Sequence, residues 1–201
     1  MIPELEAPAF LRQRQSEMQA AAPYWGLGFR RGALSPAVHA RLLDHLQINA
    51  DRFRAEGKIE EIGNADRGTI PSLIYEDKEF NAQLALDLRP EHEAWAGMRL
   101  AVSYCYGIRV YQRGTFLYIH VDRSTHVISS AICIDSRLDS RWPLHLETVD
   151  GTVSQIDLAP GELVFYEGTR LAHGRPYPLQ GDYYAAIFVH YHPVAPTRSV
   201  P

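Results

Sequence analysis

The chain has 201 residues, a formal net charge of −4, 46% apolar residues and 22% charged residues, which suits a soluble domain large enough to bury a full core. Its basic residues are scattered, with only Arg30 and Arg31 adjacent, so neither a nucleic-acid groove nor a face for an anionic membrane is expected. The opening MIPELEAPAFLRQRQSEMQ has no apolar signal segment and no run reaches the length of a membrane span.

In chain order, Ser35 is a predicted N-cap and Pro36 the first helical residue of a helix through Phe53. Val38, Leu42, Leu46, Ala50 and Phe53 form its apolar stripe. A second helix is predicted over 77–88, broken by Arg89-Pro90, with a short helical turn near Glu91–Ala96. From Arg99 the pattern changes to short β-branched and aromatic runs: RLAVSYCYGIRVYQ, TFLYIHV, HVISSAICI, WPLHLETV, TVSQIDL, ELVFYE and YYAAIFVHYH. Asp150-Gly151 predicts a hairpin and Pro160-Gly161 a type II turn. Strands this short and this frequent indicate a β-sandwich or barrel, with the early helices packed outside. Residues 1–201 are therefore expected to form one domain, with a helix-rich supporting region (1–98) and a β core (99–193). Cys105 and Cys133 both lie in apolar runs and are expected as buried free thiols, which fits a reducing, cytoplasmic setting.

Within GTFLYIHVDRSTH, His120 and Asp122 stand two residues apart in a strand-like run, which places both on one face. An HxD pair is weak evidence alone. It gains weight because two polar residues are otherwise hard to place late in an apolar strand. His173 in RLAHGRP also follows after enough strands to bring the chain back across a sandwich. Two imidazoles and a carboxylate on one face of a metal, with the other positions open, form the facial triad of non-haem Fe(II) oxygenases. The competing reading is three polar residues on an exposed sheet face. His190 and His192 form a second i, i+2 pair without a carboxylate and are assigned to a terminal strand. His39, His45 and His92 are expected on solvated helix surfaces and His145 on a strand surface, while His126, close behind the pair, is a lesser candidate for lining the site.

The segment YQRGTFLYIHVDRSTHVIS resembles the Y-x-x-G-x-x-L-x-x-H-x-D block of prolyl-4-hydroxylase-like dioxygenases, with Tyr111, Gly114, Leu117, His120 and Asp122 on the pattern. LAPGELVFYEGTRLAHGRPYPLQGDYYAAIFVHY is similar to the same family's second half, through Pro160, Gly161, His173, Pro178 and Gly181. The resemblance spans about residues 99–193. It implies a mainly β protein with a double-stranded β-helix (jelly-roll) core, and Fe(II) held by His120, Asp122 and His173. It also implies 2-oxoglutarate as co-substrate and O2 as oxidant. The implied reaction hydroxylates a C–H bond of a small molecule or of an amino-acid or prolyl substrate, releasing succinate and CO2.

The chain departs from the family at one place. A Lys or Arg is usual nine or ten residues after the distal His, where it pairs with the far carboxylate of 2-oxoglutarate. Asp182 and Tyr183 stand there instead. Tyr183 offers a hydrogen bond without charge, and an arginine from elsewhere can supply a bidentate contact. Arg175 is the first candidate, with Arg109 and Arg113 behind it, and Tyr111 matches a family tyrosine beside the co-substrate. Three alternatives stay open: the same triad oxidising a substrate without an oxoacid, as in isopenicillin N synthase-like enzymes; a cupin-type metal-binding barrel; and a catalytically inert jelly-roll binding module.

Overall fold

A computed structural model of the chain describes residues 13, 16–20, 22, 24–56 and 70–194. The N-terminal stretch searched for a signal segment lies largely outside them. Helix α1 (Pro36–Ile48) starts where predicted, with the Ser35 hydroxyl accepting from the Val38 amide at 3.3 Å. It stops at Asn49, and a 3₁₀ turn (Ala50–Arg52) replaces the expected last turn.

Helix α2 (Lys78–Ala96) is capped by Asp77 and ends at Gly97 in the left-handed conformation. It runs straight through Pro90, contrary to the predicted break. A proline in a helix interior costs about 3 kcal/mol. The continuous helix buries Leu84, Ala85, Leu88, His92 and Ala96 on one face. Burying several such apolar side chains at roughly 1.5–3 kcal/mol for each large one outweighs the local cost. His92 is accordingly a core residue and not a solvated one, its ring packed against Phe165 and Tyr191.

The strands are β1 (Phe29–Ala33), β2 (Arg54–Ala55), β3 (Leu73–Tyr75), β4 (Leu100–Cys105), β5 (Ile108–Gln112), β6 (Leu117–His120), β7 (Ile128–Leu138), β8 (Leu144–Glu147), β9 (Val153–Ile156), β10 (Glu162–Glu167), β11 (Ala172–Arg175) and β12 (Gly181–Pro193). They form two antiparallel sheets. The larger has the order β1-β10-β7-β12-β5-β3-β2, with β4 also on β12, and the smaller has the order β6-β11-β8-β9. The DG hairpin joins β8 to β9, and the Glu162 amide closes the Pro160-Gly161 turn on the Ala159 carbonyl at 2.9 Å. Strands β1, β2 and β3 come from the half that reads as helical and extend the larger sheet at both ends.

The alternation along β7 and β12 divides the core in two. Ile128, Ile132, Ile134, Ala185, Ile187, Val189 and Tyr191 pack under α1 and α2. Ala131, Cys133, Tyr184 and Ala186 face the smaller sheet, among Tyr111, Trp142, Leu144, Leu146 and Tyr166. The site opens from this second, inter-sheet layer. Both cysteines are buried free thiols, as expected. No helix among the described residues is long and apolar enough to cross a membrane.

Candidate metal centre

His120 ends β6, Asp122 follows two residues later, and His173 lies in β11, where it pairs directly across from His120. β11 was not anticipated as a strand; its AHGR is short and polar, and only pairing with β6 and β8 makes it one. One ligand atom from each of His120, Asp122 and His173 lies within 4.8 Å of the others. His173 Nε2 is 3.6 Å from Asp122 Oδ1, and His120 Nε2 is 4.0 Å from the same oxygen.

Both imidazoles have their tautomers set by the backbone. His120 Nδ1 donates to the Tyr118 carbonyl at 2.8 Å and His173 Nδ1 to the Leu171 carbonyl at 2.7 Å. Each Nε2 is left with its lone pair toward the other two ligands, the arrangement metal-bound histidines use. Burial, reinforced by the neighbouring His173, lowers His120 to about 4, so its ring is neutral at physiological pH. Burial alone would raise the Asp122 carboxyl, but His173, His190 and His120 around it hold it well below the usual range. Two imidazoles and one carboxylate converging on one point would fit a divalent metal such as Fe(II) with its remaining positions open.

Behind the triad, Ser129 Oγ donates to Asp122 Oδ2 at 2.9 Å, and His190 Nδ1 lies 2.8 Å from Ser129 Oγ. His190 is buried in the last strand, stacked on His126 with ring centres 4.3 Å apart. His126 is buried too, within 3.0 Å of Ser103 Oγ and 3.2 Å of the Tyr106 hydroxyl. Burial lowers His190 to about 3. Gly168 packs so closely here that a Cβ would fall on Asp122 Oδ2, Ser129 Oγ and the His126 carbonyl. A lone i, i+2 histidine pair gave no sign that His190 faces the site while His192 faces solvent.

Deeper between the sheets, Arg175 is buried two residues beyond His173. Its guanidinium lies 4.6 Å from the Trp142 ring and 4.4 Å from the Tyr184 ring. It donates to the Trp142 carbonyl and, at 2.9 Å, to the Tyr184 hydroxyl. Tyr111 is buried in the same layer, 5.1 Å from Trp142 ring to ring. Tyr183 is not brought to this group. It faces the helix-covered layer, and its hydroxyl donates to Asp135. The inward tyrosine is its neighbour Tyr184.

Arg109 also faces inward, 5.6 Å from the Phe188 ring, and is ion-paired with Glu56, whose other oxygen accepts from Ser72 at 2.7 Å. Arg113 instead pairs with Asp139 and Asp182 at the exposed end of the strand. His145, expected on a strand surface, is buried beside Tyr177. Of the other helix histidines, His39 Nε2 lies 2.8 Å from the Ile134 carbonyl and His45 stacks on Phe80.

No protein-family model and no curated protein sequence matches the chain. Solved structures do. A prolyl-4-hydroxylase from Pseudomonas putida aligns with a TM-score of 0.59 at 14% identity, covering 90% of this chain and 98% of its own. A prolyl hydroxylase from Trichoplax adhaerens, solved with a hypoxia-inducible-factor peptide, gives 0.62 at 14% identity, covering 93% and 94%. HygX from Streptomyces hygroscopicus, solved with nickel, 2-oxoglutarate and hygromycin B, gives 0.59 at 12% identity, covering 90% and 87%. The chain shares the fold of these three structures.

Proposed function

We propose that this chain is a cytoplasmic, single-domain Fe(II)- and 2-oxoglutarate-dependent oxygenase whose two sheets are the double-stranded β-helix of that group. The observation that carries the reading is the convergence of His120 Nε2, His173 Nε2 and an Asp122 oxygen within 4.8 Å, with both Nδ1 atoms already committed to backbone carbonyls. Fe(II) bound with 2-oxoglutarate and O2 would supply the oxidising power to hydroxylate an unactivated C–H bond, with succinate and CO2 as co-products.

The protein's own residues bind, orient and exclude water. His120, Asp122 and His173 would hold the metal, which would supply Lewis-acid and oxygen-activating chemistry there. Arg175 replaces the missing basic residue of β12 as the anchor for the far carboxylate. Being buried and flanked by Trp142 and Tyr184, it offers a charge-assisted contact in a low-dielectric layer. Tyr184 adds its hydroxyl to the same cradle, the Tyr111 hydroxyl accepts instead from Arg109 at 3.4 Å, and Tyr183 takes no part in it. Arg109 and Glu56 place one charge of each sign on the inner wall, which favours a polar small molecule over an apolar one. A prolyl residue in a peptide is the other substrate class the fold accommodates.

The test is succinate release from 2-oxoglutarate by the Fe(II)-loaded protein without added substrate. Wild type should release succinate and Asp122→Ala should not. Iron bound tightly with no 2-oxoglutarate bound or consumed would favour the same triad working without an oxoacid.

A further inference from the structure

We propose that Ser129, oriented by His190, is a positioning residue that presents one oxygen of Asp122 to the metal and withholds the other. The inference rests on the triad being a metal site and concerns how its carboxylate is held. Asp122 Oδ1 faces His173 Nε2 and His120 Nε2 at 3.6 and 4.0 Å. Oδ2 points the opposite way, accepting from Ser129 Oγ at 2.9 Å.

A serine hydroxyl has one proton and two lone pairs. Two acceptors compete for that proton: the carboxylate at 2.9 Å and the His126 carbonyl at 3.3 Å. With that proton directed to the carboxylate, His190 Nδ1, 2.8 Å from the same oxygen and 3.5 Å from Asp122 Oδ2, is placed to donate into a lone pair. Donation from His190 polarises the hydroxyl and strengthens its bond to the charged acceptor. The chain of donors therefore runs from His190 through Ser129 to Asp122. Gly168 closes the remaining side, because any side chain there would collide with both Asp122 Oδ2 and Ser129 Oγ.

With Oδ2 tied back, Asp122 would ligate a metal through one oxygen. The coordination positions that an untethered, bidentate carboxylate would take stay open for co-substrate and oxidant. Ser129 and His190 touch neither the metal nor a reacting atom, and they act through Asp122. Outer partners of metal ligands typically contribute 10–100-fold to metal affinity.

Cobalt(II) titration of the purified full chain, followed by its visible d–d absorption, tests this without turnover. Ser129→Ala should weaken cobalt affinity by about 10–100-fold and alter the band shape, with the far-UV circular dichroism unchanged. His190→Leu should do the same in part, whereas His190→Asn, whose amide can donate from the Nδ1 position, should restore both. Equal affinity and identical spectra for wild type and Ser129→Ala would overturn the proposal. If Ser129→Ala fails to fold, the two His190 variants decide it: equal behaviour of Leu and Asn overturns the role of His190 as donor. A wild-type chain that takes up no cobalt would overturn the metal reading itself, a result distinct from the other two.

Discussion

His173 stands directly opposite His120 in the antiparallel β6–β11 ladder, so one register places two of the three candidate ligands. Side chains alternate with period two, and a slip of one residue would turn His173 away from its partner. The ladder, more than the HxD spacing alone, makes the site. Removal of either histidine should therefore abolish stoichiometric metal binding while leaving the fold in place. Metal content of His173→Ala and His120→Ala after dialysis against Fe(II) or Ni(II) checks this, with full retention by either variant as the contrary result.

In the proposed function Arg175 and Tyr184 take the place of an anchor that family resemblance puts elsewhere. Truncating one partner of a buried, hydrogen-bonded charge contact costs about 2 kcal/mol or more, a factor of about 30 in affinity. Arg175→Met should weaken 2-oxoglutarate binding by at least that factor and leave metal binding unchanged. Tyr184→Phe should weaken it less, and Tyr183→Phe, altered on the helix-covered face, should not weaken it at all. Calorimetric titration of the Ni(II)-loaded variants separates these outcomes.

Gly168 adjoins the carboxylate so closely that even a methyl group has no room. Gly168→Ala should displace Asp122 and Ser129, at a stability cost of about 1–3 kcal/mol for overpacking. Metal affinity should fall far more than this loss of stability alone would explain. Paired denaturation and metal-binding curves measure the two effects separately.

Much of this site was legible before any coordinates. The triad could be read because its residue types are rare at those places in apolar runs. The strand pattern after Arg99 was equally clear, since β-branched and aromatic runs alternate with turn residues. What stayed hidden depended on pairing and register. AHGR becomes a strand only between β6 and β8. In DYY at 182–184 nothing local says which tyrosine turns inward, and β12 carries register shifts on that stretch. Ser129 and His190 are 61 positions apart in the chain and share a hydrogen bond only through the β7–β12 ladder. Pro90 misled because its local cost was visible and the compensating burial of Leu88, His92 and Ala96 was not.

His92 makes stability depend on pH even without metal. Burial lowers it to about 4, against about 6.5 for an exposed histidine. Between those values the unfolded chain takes up a proton that the folded chain refuses, so stability falls as pH drops from 6.5 toward 4. Stability from this source is full above pH 6.5, and its loss reaches about 3 kcal/mol at the acid end, near pH 4. His92→Leu should flatten this part of the curve, as chemical denaturation of the metal-free protein at pH 7.5 and 5 would measure.

His120, Asp122 and His173 are proposed to hold Fe(II) with positions open for 2-oxoglutarate. Anaerobic addition of 2-oxoglutarate to the Fe(II)-loaded protein tests it most directly, through the visible charge-transfer band of an iron-bound α-keto acid. The wild-type chain should develop that band at one equivalent, and Asp122→Ala should not. A wild-type chain that binds iron yet shows no band at saturating 2-oxoglutarate would contradict the account.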